Sequence, residues 1–154
     1  LLNIKIRHMK MENKYYTPSV KDFYIGFEYE YKDGEKWIKS NDLSNDFLYE
    51  DNPLYGVQKL CESNDVRVKW LDKEDILDCG FRKGHEFDDD NRFILKAENV
   101  LDGLQIQYEG YSEINKAIWI TIYLQYNSVD VFVKNKSEFK ILLKQLGIIS
   151  NSGT

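Results

Sequence analysis

The chain has 154 residues, with 21 Lys plus Arg against 26 Asp plus Glu, and a formal charge of −5. An apolar fraction of 42% that includes 11 Tyr, 8 Phe and 3 Trp excludes a disordered chain, which has too few such side chains to offset its ordering entropy. No apolar run approaches the roughly 18 residues of a membrane span, and the net negative charge argues against a general nucleic-acid binder, whose affinity comes from neutralising phosphates.

In chain order, residues 1–14 read as a doubtful leader. The segment opens on Leu1, with Met9 and Met11 behind it. Two readings stay open: a translated upstream stretch, or a strand with Leu2, Ile4 and Ile6 on one face. Thr17-Pro18 then gives a helix start of about one turn, with Asp22 in that turn. Phe23 to Lys32 alternates: Phe23, Ile25, Phe27, Tyr29 and Tyr31 on one face, and Tyr24, Gly26, Glu28, Glu30 and Lys32 on the other. This is the period of a half-buried strand. Asp33-Gly34 marks a tight hairpin, with Trp37 and Ile38 on the return strand.

Asn41 to Asp51 is polar and irregular, and reads as loop. Asn52-Pro53 starts a helix with Leu54, Val57, Leu60 and Cys61 at helical spacing, ending near Ser63-Asn64. Val66 to Leu71 is a strand. Asp72 and Asp75 form a capping pair for a short helix stopped by Gly80. The spacing then predicts strands at Arg92–Ala97, Leu104–Tyr108, Ala117–Tyr126 and Val129–Lys134, the third central because it is almost continuously apolar. Asn135 and Glu138 open the clearest helix, with Phe139, Leu142, Leu143 and Leu146 on one stripe and Gly147 at its end. Residues 150–154 are a polar tail. These elements predict a single α+β domain over 15–149. It has a largely antiparallel, curved β-sheet of about six to seven strands, short helices, and a C-terminal helix packed on one face.

Four segments together carry a resemblance: Tyr16-Thr17-Pro18-Ser19-Val20-Lys21-Asp22-Phe23; Ile25-Gly26-Phe27-Glu28-Tyr29-Glu30; Val66 to Ile76 with Gly80-Phe81; and Lys134 to Gly147. In that order the chain resembles uncharacterised small proteins encoded by tailed phages and mobile elements of Bacteroidetes, over residues 15 to 149. The resemblance implies an origin and a host-cytoplasmic setting, with virion association left open. It implies no activity, and it favours a start near Met9 or Met11.

The chemistry-bearing residues are few. Only His8 and His85 are available as bases for a nucleophilic triad; the first lies in the leader and the second in a polar loop. Glu86 with Asp88-Asp89-Asp90 is the one dense acidic cluster, and it lacks the alternating spacing of a calcium loop. Cys61 and Cys79 have no metal-ligand spacing and read as small apolar residues or free thiols. No glycine-rich phosphate cradle occurs. Glu28 and Glu30 invite a paired-carboxylate reading, but Arg67 and Lys69 alternate in the same way on another strand. If the two strands pair, a charge ladder follows. The same four residues with Tyr24 could instead form a polar site for a small anionic or amphipathic ligand.

The sequence therefore predicts no catalytic residue, metal or cofactor. It predicts an accessory protein that acts by binding a host or phage protein, with the many Tyr and Trp serving first as core and second as interface. The alternative is a small-molecule binding or sequestering protein with Glu28, Glu30, Arg67, Lys69 and Tyr24 at its mouth, and the third reading is a carboxylate-based enzyme. Neither a membrane nor general nucleic-acid binding is expected.

Overall fold

The structure is a computed structural model that describes residues 13–47, 52–84, 91–95, 104–124 and 126–148. It is α+β, with antiparallel sheets and a C-terminal helix, as predicted. The strands divide into one sheet of four and one of five. The chain clusters into two compact units. The first holds Asn13–Trp70 with Asn135–Ser137, and the second Leu71–Lys134 with the residues from Glu138 on.

The first unit opens with β1 (Tyr15–Tyr16) and one 3-10 turn at Val20–Asp22, where the Ser19 N–H donates to the Asp22 carboxylate at 2.8 Å. Strand β2 (Tyr29–Asp33) is shorter than the alternation from Phe23 predicts. The Phe27 N–H closes a turn onto the Tyr24 carbonyl at 3.0 Å, and Gly26 takes φ 91°. A glycine accepts that left-handed geometry without strain. The turn gathers Phe23, Tyr24 and Phe27 into a ring cluster, with Phe27 centroids 5.0 and 5.4 Å from the other two. Ile25, expected on the apolar face, is 86% exposed at the tip of the turn.

The hairpin from β2 to β3 (Lys36–Ser40) is the expected one. Asp33 faces Lys36 across a two-residue loop, and Gly34 at its first position takes φ 62°, as a tight hairpin turn requires. Where a loop was expected, a short helix α1 (Leu43–Asp46) forms, capped by Asp42 through the Asn45 N–H. The Asp46 carboxylate accepts from the hydroxyls of both Tyr29 and Ser40, tying α1 to the hairpin. Burial, and then that bond to Asp46, hold the Tyr29 phenol well above its ordinary range.

Helix α2 (Pro53–Glu62) begins and ends where Asn52-Pro53 and Ser63-Asn64 place it, with Asn52 accepting from the Leu54 N–H at 3.1 Å. Strand β4 (Val66–Lys69) follows, and the sheet order is β1-β4-β2-β3, antiparallel throughout. Phe27, Tyr29, Val66 and Val68 are the buried centre, with Phe23, Tyr31 and Leu60 packed around them. Residues 135–137 belong here. The Asn135 side-chain amide donates to the Tyr16 hydroxyl at 2.8 Å, and the Ser137 hydroxyl accepts from the Glu28 N–H at 3.0 Å.

The second unit begins with α3 (Lys73–Asp78), closed by the predicted capping box. The Asp75 N–H donates to the Asp72 carboxylate at 3.0 Å, and the Asp72 N–H to that of Asp75 at 3.2 Å. Five antiparallel strands then pair in sequence order: β5 (Phe81–Lys83), β6 (Arg92–Leu95), β7 (Gln105–Ser112), β8 (Ala117–Tyr123) and β9 (Ser128–Val133). Strand β5 has no counterpart among the predicted elements, because one apolar residue in three carries no period. Strand β7 continues past its predicted end at Tyr108 through a bulge between Tyr108 and Gly110, which restores register after one extra residue.

Strand β8 is interior, as its apolar run predicts, and Ile118, Ile120 and Ile122 are fully buried. Among the described residues β9 is the edge, with Val129 and Phe132 exposed and the Asp130 carboxylate accepting from the Thr121 hydroxyl at 2.8 Å. Helix α4 (Lys136–Gln145) packs its Phe139 ring 6.1 Å from that of Phe81. The Glu138 carboxylate accepts from the Lys134 N–H at 2.6 Å, one residue outside the position the predicted box gives it. At the other end the Ile148 N–H reaches the Leu143 carbonyl and the Gly147 N–H that of Lys144, with Gly147 at φ 71°. This is the glycine-ended stop that satisfies the last carbonyls. Among the described residues no helix is long and apolar enough to cross a membrane.

Tyr108 gives the second unit an alkaline signature. Its hydroxyl donates to the Leu71 carbonyl at 3.2 Å. Burial, followed by the nearby Asp72 and Asp75, pushes the phenol from its ordinary 10.0 up to about 12. The unfolded chain therefore releases this proton first. The stabilisation is complete below the ordinary value and disappears as pH rises through the folded one. Between those limits the denaturant midpoint of the wild type is expected to fall more steeply with pH than that of Tyr108→Phe. Parallel slopes would show that the phenol is not held.

Candidate functional site

The register of the first unit's sheet sorts its side chains onto two faces. Tyr29, Tyr31, Val66 and Val68 turn inward. Outward turn Glu30 opposite Arg67, Lys39 opposite Glu30, Trp37 opposite Lys32, and Tyr15 opposite Lys69. Four cations thus meet one carboxylate on the strands of this face, although the whole chain carries −5.

Arg67 is the centre of the arrangement. Its Nε donates to Glu30 Oε2 at 3.0 Å, with the Glu30 side chain 13% exposed and that of Arg67 27%. The guanidinium carbon lies 3.9 Å from the centroid of the Tyr15 ring and 4.2 Å from that of Trp37. Each ring contributes about 0.5–1 kcal/mol of cation–π attraction at such a partly open site. One edge of the group is held by a carboxylate and its plane by aromatic rings. Among the described residues its two Nη groups make no hydrogen bond.

Those Nη groups belong to a side chain that lines an open cleft of about 270 Å³, together with Tyr15, Tyr16, Thr17, Trp37 and Asn64. The cleft exists because β1 is short. Continued pairing would set Thr17 opposite Arg67 and Pro18 opposite Val66. Proline has no N–H to give a ladder, and β1 stops at Tyr16. The Thr17 hydroxyl donates to Asn64 Oδ1 at 3.3 Å across the gap. The Asp65 carbonyl accepts from β2, at the Lys32 N–H, and the Trp70 N–H donates to Lys14. By strand alternation the main-chain groups of Val66, which also lines the cleft, therefore turn to the side β1 has left.

The structure brings together two of the five residues picked from sequence, Glu30 and Arg67, as one rung of the expected charge ladder. Lys69 is on the same face, opposite Tyr15. Glu28 precedes the first residue of β2, so strand alternation does not hold it beside Glu30. Tyr24 lies in the Gly26 turn and packs inward against Phe27. Neither lines the cleft. Tyr15 and Trp37 were not singled out as site residues. The hairpin rule contains the missing signal, because a two-residue loop at Gly34 sets Trp37 opposite Lys32 and hence on the face of Glu30.

Burial pushes the Cys61 thiol up, with Asp22 and Glu62 adding to it, and a protonated thiol is a poor nucleophile. Neither Cys61 nor Cys79 is in a disulfide. Among the described residues no group of three or more His, Cys, Asp or Glu is placed to hold a metal ion. His8, His85, Glu86 and Asp88-Asp89-Asp90 lie outside the described residues, as do the leader strand and the polar tail. No protein-family model, curated protein or solved structure matches the chain.

Proposed function

We propose that this chain is a non-catalytic accessory protein of phage or mobile-element origin that binds another protein in the host cytoplasm through the outward face of its four-stranded sheet. One observation carries the reading: Tyr15, Trp37 and Arg67 stand together, half-buried, on a solvent-facing sheet surface. Tyr, Trp and Arg are the residue types in which interface energy concentrates. Tyr and Trp give large contact area at small entropic cost, and this Arg is already held in place by Glu30 and the two rings. The cleft beside them supports the second reading, a small-molecule binder. At about 270 Å³ it falls just below the usual size of ligand cavities, roughly 300–1,000 Å³, and it is open, which favours a protruding protein segment over an enclosed metabolite.

The test compares the full-length wild type with a Tyr15→Ala/Trp37→Ala double variant, each immobilised in extract of a Bacteroidetes host. A partner held through this face is expected to be recovered by the wild type and reduced at least about tenfold in the variant, the equivalent of 1.4 kcal/mol, with circular dichroism unchanged. Equal recovery of the same proteins by both would remove the proposal.

A further inference from the structure

Resting on that reading, we infer that the partner presents a carboxylate-bearing acidic segment, whose carboxylate is taken by the Nη pair of Arg67 at the cleft between Tyr15, Thr17, Trp37 and Asn64. The guanidinium is already positioned. Glu30 fixes its Nε edge at 3.0 Å, and rings lie over it at 3.9 and 4.2 Å. What is left is a fork of N–H donors in fixed geometry, which matches the two oxygens of a carboxylate. Ordering this side chain costs the complex little, because the fold has already ordered it.

Charge complementarity selects the partner's sign. Lys32 and Lys39 stand on the same face as Arg67 and are exposed, and among the described residues Glu30 is the one acid that the paired strand positions place there. Two features favour a peptide over single-stranded nucleic acid. Base stacking needs free ring faces, and Arg67 already covers one face each of Tyr15 and Trp37. The cleft is also a local notch of about 270 Å³ where β1 departs, with room for a side chain rather than for a run of stacked bases.

The experiment titrates the isotope-labelled full chain with a short peptide of alternating Asp and Gly, its Asn counterpart, inorganic phosphate and oligothymidylate, read by fluorescence anisotropy and by amide and indole chemical shifts. The Asp peptide is expected to bind and to move the Trp37 indole and Arg67 Nε resonances while leaving Trp119 in place; the Asn peptide is expected to do neither. Arg67→Lys keeps the charge and loses the fork, and should weaken binding about tenfold. Lys39→Gln, at an exposed position, should weaken it less and flatten its salt dependence. The inference is overturned if the Asp peptide does not bind, if the Asn peptide binds equally, or if the shifts map elsewhere. Tighter binding of oligothymidylate, or displacement by phosphate at equal concentration, overturns it as well. The wild-type shift map decides the matter even if Arg67→Lys fails to fold. Partner recovery that depends on Tyr15 and Trp37 but is untouched by the Asp peptide would remove this inference alone and leave the binding reading standing.

Discussion

Phe139→Ala is expected to cost about 3–5 kcal/mol, the usual toll for truncating a fully buried phenylalanine. That is a large part of the roughly 5–15 kcal/mol by which domains of this size are stable. Phe139 sits near the start of α4 with no exposed surface, against Phe81, and Leu143 is buried one turn on. The hole cannot close by local collapse. The capping contact of Glu138 with Lys134 and the Gly147 stop fix the helix at both ends, and the facing ring of Phe81 is itself buried on a paired strand. Equilibrium urea unfolding measures the loss. A change below about 1 kcal/mol would place the ring outside the core, since only surface substitutions cost so little.

Phe27→Ala should be comparably damaging in the first unit, again about 3–5 kcal/mol. Phe27 is 1% exposed, with Phe23 edge-on at 5.0 Å, Tyr24 tilted at 5.4 Å and Tyr29 stacked at 6.4 Å. Such ring pairs add about 0.5–1.5 kcal/mol each beyond the area they bury. Phe27→Leu, which refills most of the volume, should recover the larger share and lose the ring contribution. Near-ultraviolet circular dichroism of the tyrosines would report the disordered cluster directly. If Leu and Ala cost the same, the stability resides in ring geometry and not in filled volume.

Both substitutions fall on residues whose burial could be read from spacing. Phe139 stands on a 3.6-residue stripe and Phe27 on a two-residue alternation, and either pattern marks the side that must leave water. The Asp72–Asp75 box, the Asn52-Pro53 start and the Gly34 hairpin were legible for the same reason: each is decided by residues within a turn of one another. What was not legible required distant information. Alternation across Phe23–Lys32 shows which side chains share a face if the segment is extended. Whether it is extended depends on the Gly26 turn, and that turn is held by ring packing. Strand β5 forms because β6 supplies its partner, and three residues with one Phe announce nothing alone.

The division of the strands into two sheets is of the same kind, since faces are encoded locally and partners are not. At the site, sequence found the Glu30–Arg67 rung because charges alternate visibly on both strands. It missed the rings that enclose Arg67, because Tyr15 and Trp37 arrive from strands on opposite sides of that rung.

Among the described residues β9 is the outer strand of the five-stranded sheet, and that position bears on how the molecule survives in a crowded cell. Val129, Val131, Phe132 and Val133 are the makings of an adhesive ribbon, a template on which further chains can zip. Asp130 interrupts that ribbon near its middle. Stacking a second chain antiparallel about this residue sets two carboxylates face to face, and a parallel stack aligns them as well, so the charge acts as a gatekeeper against runaway self-association. Its bond to Thr121 does not spend that charge; it holds the guard at its post.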